Sequence, residues 1–70
     1  MSTAIAQIDA NIGRIRARLK AMHWASEERK SSLACVAAMG LGDRQGSRAH
    51  EAWAEICGMR AKAWKEEAEK

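Results

Sequence analysis

Four side chains in this sequence could hold a metal or serve as nucleophile and base: His23, Cys35, His50 and Cys57. Zinc sites draw such ligands in close pairs, and neither a CxxC nor an HxxxH pairing is present here. His50 and Cys57 share a predicted helix, seven residues apart. At about 1.5 Å per residue that spacing exceeds roughly 10 Å, too far for a thiol–imidazole couple. Adjacent carboxylates occur as Glu27/Glu28 and Glu66/Glu67. Neighbouring helix residues point in different directions, so neither makes a general acid/base pair. The segment GLGDRQG lacks the Lys-Ser/Thr ending of a phosphate loop, and no strand is predicted before it. The sequence therefore predicts no enzyme, no metal and no cofactor. Both cysteines read as small apolar core residues. A Cys35–Cys57 disulfide is expected to be out of reach. With Cys35 opposite Glu51, Cys57 lies about six residues, roughly 9 Å, farther along.

The elements that must position these residues are helices. The chain has 70 residues, enough for one domain (1–70), with no proline and seven β-branched residues. Ala, Glu, Lys and Arg dominate, a composition for helix rather than strand. Three segments are predicted, at about 3–23, 26–39 and 47–69. Thr3 or Ser2 is the expected N-cap of the first. Ser26 before Glu27 and Glu28 reads as a fresh cap, which places a break near Trp24 and Ala25. The alternative is one unbroken helix from Thr3 to Met39. The glycines and Asp of MGLGDRQGS mark a loop after Gly40, and Ser47 is the expected cap of the last helix. The expected fold is all-α, a helical hairpin or three-helix bundle that dimerises into a larger helical bundle.

Ile5, Ile8, Ile12, Ile15, Leu19 and Met22 recur at gaps of three and four. That is a helix seam, and a seam needs a partner surface. On the far side run Ala6, Ala10, Gly13, Ala17 and Ala21, ending near Trp24. Small residues at that spacing would let a second helix approach closely; alternatively they are simple helix formers on a solvated face. Gly13 in mid-helix, at a cost of roughly 1 kcal/mol against Ala, favours the close approach. The last helix carries Ala49, Trp53, Ile56, Cys57, Ala63 and Trp64 on one face with Arg60 at its centre. Arg60 either stacks on an indole or anchors an interface, with Glu67 as a potential partner. Of the 33 hydrophobic residues, 15 are alanine, leaving 18 larger ones. The later segments are expected to cover only part of the isoleucine seam, and a second copy to cover the rest.

The formal charge is +3 and the isoelectric point near 9.2, a mild excess compatible with nucleic acid without requiring it. No apolar run approaches the roughly 20 residues that cross a bilayer, and no apolar signal core opens the chain. A cytoplasmic protein without a membrane partner is expected; surface attachment through the amphipathic first helix is the minor alternative. The favoured function is non-enzymatic protein binding, by a small regulator, adaptor or inhibitor that covers a surface of a larger protein. Accessory factors of phage or plasmid type have this size, an analogy of size alone. Its contact residues would be the isoleucine seam, as dimer or partner interface, and Trp53, Arg60 and Trp64. The alternative is a nucleic-acid-binding regulator using Arg14 and Arg18, or Arg44 and Arg48 in a degenerate helix-turn-helix. Gly42 and Gly46 weaken that motif.

Overall fold

The computed structural model describes residues 2–70. Among these, the chain forms two helices, α1 (Ser2–Gly40) and α2 (Arg44–Glu69). The fold is all-α. The break expected near Trp24 is absent, because α1 runs unbroken through it. No glycine or proline interrupts Trp24–Ser26, and Trp24 packs edge-on against Trp53 of α2, ring centres 6.2 Å apart. That tertiary contact outweighs the local capping signal at Ser26. Thr3 is likewise inside the helix rather than capping it, and the Ser2 side chain lies outside the described residues.

The turn between the helices is built by two glycines and an aspartate. Asp43 N–H donates to the Ala38 carbonyl at 2.9 Å, and Gly42 N–H to that of Met39 at 3.1 Å. This is the Schellman pattern, and Gly42 takes its left-handed position with φ of 77°. Asp43, rather than the expected Ser47, caps α2: its carboxylate accepts the Gly46 N–H at 2.9 Å. A Cβ on Gly46 would collide with that carboxylate. Glycine is therefore what lets the cap close. Released from capping, Ser47 turns inward, its Oγ 3.4 Å from Cys35 Sγ.

So short a turn makes the helices antiparallel, and they pack along α2's full length. The facing positions on α1 are Ala17, Ala21, Trp24, Glu28, Ser31, Cys35 and Ala38. On α2 they are Ser47, Ala54, Cys57, Ala61, Trp64 and Ala68. Both sets repeat at gaps of three, four or seven, the spacing of a coiled-coil seam. Apart from one tryptophan on each helix and Glu28, every member is small. The packing face of α2 is thus rotated from the expected one, which centred on Arg60. Alanine, serine and cysteine allow close backbone approach, and Trp53 and Ile56 are left on the flank.

α1 outreaches α2. At about 1.5 Å per residue the helices are roughly 58 and 39 Å long, and the whole molecule measures 62 × 12 × 12 Å. Ala68 near the end of α2 is buried at the level of Ala17. The N-terminal part of α1, through about Ile15, therefore projects beyond its partner helix. Ala6, Ala10 and Gly13 lie on that projection, and a Cβ on Gly13 would meet open space. Only Ala17, Ala21 and Trp24 of the small-residue stripe are covered.

Candidate functional site

The isoleucine seam lies on the wrong side of α1 to meet α2. Counting about 100° per residue, it sits roughly 150° around the helix from the packed alanine seam. All six of its residues are open, Ile5 through Met22 keeping between 41% and 67% of their surface. This corrects the expectation that the later part of the chain covers some of the seam. Beyond the gap at Ser26 and Arg29, Leu33 and Val36 continue the row, also exposed. Among the described residues the buried apolar ones are, by contrast, Ala17, Ala38, Cys57 and Ala68. Large apolar side chains outside and small ones inside invert the usual distribution.

A second exposed patch lies on the flank of α2, where Trp53 and Ile56 keep 40% and 41% of their surface. Arg60, one and two turns along, is not paired with Glu67, whose carboxylate instead meets Lys70 at 3.2 Å. The Arg60 guanidinium lies 4.6 Å from the Trp24 ring centre and 5.7 Å from that of Trp53. Across the seam the contact is repeated with the helices exchanged, Lys20 Nζ standing 4.2 Å over the Trp64 ring. Each helix thus carries a cation four residues before its seam tryptophan, and each cation caps the indole of the other helix. This clasp ties α1 to α2 near the end of α2. Spacing alone put Arg60 between Trp53 and Trp64 on one helix face; the contact with Trp53 is present and the nearer one, with Trp24, lies on the other helix. The available clue to the true pairing was the same four-residue interval at Lys20–Trp24.

The remaining candidates are scattered. Arg14 and Arg18 lie near one end of the molecule and Arg44 and Arg48 near the other, roughly 30–40 Å away by helix rise. The helices around the turn run antiparallel, whereas a helix-turn-helix crosses at about 90–120°. His23 packs edge-on against Trp24, ring centres 5.2 Å apart. Among the described residues, no three His, Cys, Asp or Glu side chains converge where a metal ion could bind. Both thiols are free. Cys35 sits opposite Ser47, about a turn from the expected Glu51. Burial pushes the Cys57 thiol above its ordinary value of 9.0; Glu27 and Glu28 add to the rise and Arg60 opposes it. A thiol held neutral and fully enclosed is a packing group rather than a nucleophile.

Between the helices, on the side bordering the isoleucine row, runs a shallow groove of about 640 Å³. Ala21, Ala25, Ala61 and Ala68 form its floor, with Arg18 and Lys65 among the residues at its edges. Met22 belongs to both groove and seam, so the two make one continuous apolar surface. No described helix is long and apolar enough to cross a membrane. Comparison with family models, with characterised proteins and with solved structures finds no match for this chain.

Proposed function

We propose that this chain is a non-enzymatic protein-binding module, a small regulator, adaptor or inhibitor that acts by covering a surface of another protein. It works as a homodimer joined along the isoleucine seam, and the flank bearing Trp53, Ile56 and Arg60 is left to engage a larger partner. The observation that carries this reading is the open row from Ile5 to Met22. Exposed single hydrophobics are ordinary, but a contiguous row about 25 Å long marks an interaction face. Tryptophan and arginine on the second flank are the residue types enriched at binding hot spots.

A pull-down with the tagged full chain, at low and high salt and with nuclease treatment, tests the reading. Protein binding predicts a co-purifying protein that survives nuclease and is lost with Trp53→Ala and Ile56→Asp. Recovery of nucleic acid alone, abolished by Arg14→Ala with Arg18→Ala and steeply salt-dependent, would replace it with the nucleic-acid alternative.

A further inference from the structure

We infer that the second copy lies antiparallel along α1, with the two-fold axis between Ile12 and Ile15, so that Asp9 of each chain pairs with Arg16 of the other. The inference rests on the self-association proposed above and specifies its geometry.

Surface area points to a second copy as the occupant. A compact protein of 7.7 kDa is expected to expose about 4,300 Å², and this chain exposes 5709 Å². The excess, about 1,400 Å², is more than the roughly 800 Å² per partner that a standard interface removes, so one such interface fits within it. The projecting end of α1 is exposed throughout, from Thr3 to Arg16. That segment is about 14 residues long, near the lower limit at which a lone helix holds in water. A partner lying along it would supply the missing packing.

The seam is self-complementary in the antiparallel sense. With the axis between Ile12 and Ile15, the layers become Ile5 with Met22, Ile8 with Leu19, and Ile12 with Ile15, each occurring twice. Every large seam residue then has a large partner, and the projecting end of each copy lies beside the supported part of the other. Charge selects the same orientation. Asp9 is the sole acid before Glu27, whereas Arg14, Arg16, Arg18 and Lys20 follow it closely. Asp9 and Arg16 both flank the seam on one edge, and antiparallel pairing brings them together across the axis, twice per dimer. A parallel pairing would instead set Asp9 beside Ala4 and Arg16 beside Asn11, and would superpose the two basic stretches.

Reversing the charges tests the pairing, with dissociation constants from sedimentation equilibrium of the full chain at low salt. Asp9→Arg and Arg16→Asp should each weaken the dimer about five- to thirtyfold, and the double variant should return to within about threefold of the starting chain. Circular dichroism checks that each variant stays helical. General repulsion between basic chains gives a different pattern, since Arg16→Asp lowers the net charge and would then tighten the dimer. A tighter Arg16→Asp dimer, or a double variant no better than the singles, overturns the antiparallel register and leaves self-association standing. A monomeric starting chain at micromolar concentration overturns both.

Discussion

Arg60 and Lys20 each reach across the helix pair to an indole on the other side. The sequence showed that Arg60 stood among tryptophans, but the ring it covers most closely, Trp24, lies 36 positions away in the chain. Local spacing carries no information about that contact. Because Arg60 is exposed, its stacking is worth only about 0.5–1 kcal/mol. Arg60→Ala should therefore lower the urea midpoint modestly and red-shift tryptophan emission without unfolding the chain, and Arg60→Lys should recover part of the loss. An unchanged midpoint would free Arg60 for a purely external role. The cysteines separate by the same logic. Both were legible as core residues from their types, although only Cys57 is fully enclosed. Alkylation at neutral pH should mark Cys35 first and reach Cys57 only after unfolding. With its folded value raised above 9.0, Cys57 contributes stability that is present below that pH and fades as pH rises through the folded value. Unfolding titrations across that range should show the decline in the starting chain and a shallower one in Cys57→Ala.

Helical periodicity identified the chain as all-α before its packing could be known, but it divided α1 into two segments. The isoleucine beat is a plain helix signal, and the glycine-rich turn was evident from its residues. Hydrophobic size misled about the isoleucine face of α1, whereas the close approach expected of the alanine stripe holds at Ala17 and Ala21. Bulk argues for burying isoleucine, but two helices joined by a three-residue turn sit close together, and their small faces fit that approach best. The expected break failed for a related reason: a cap residue only permits a helix start, and nothing before Ser26 forced an end. Gly13, read as a sign of close approach, faces open space instead. Gly13→Ala should then stabilise the projecting part of α1 by roughly 0.5–1 kcal/mol, seen as greater helical ellipticity and a higher melting temperature. A loss of helicity or of dimer would mean that a backbone packs against that position after all.

For its length the molecule is drawn out, with a radius of gyration of 17.0 Å, where about 11 Å is expected of a compact domain of this size. Its interior is made of alanine, serine and cysteine, with tryptophan at the edges. Its bulkiest aliphatic side chains line an outer face. That arrangement suits a subunit better than a finished monomer, because so little apolar surface is hidden within the chain. The dimer proposed above requires that face to be covered in solution. Analytical ultracentrifugation of the full chain at micromolar concentration, beside Ile12→Asp, measures this directly. Seam pairing predicts a dimer for the starting chain and a monomer for the variant, with helicity retained around the Trp24–Arg60 clasp. A starting chain that sediments as a stably helical monomer, indifferent to Ile12→Asp, would contradict it.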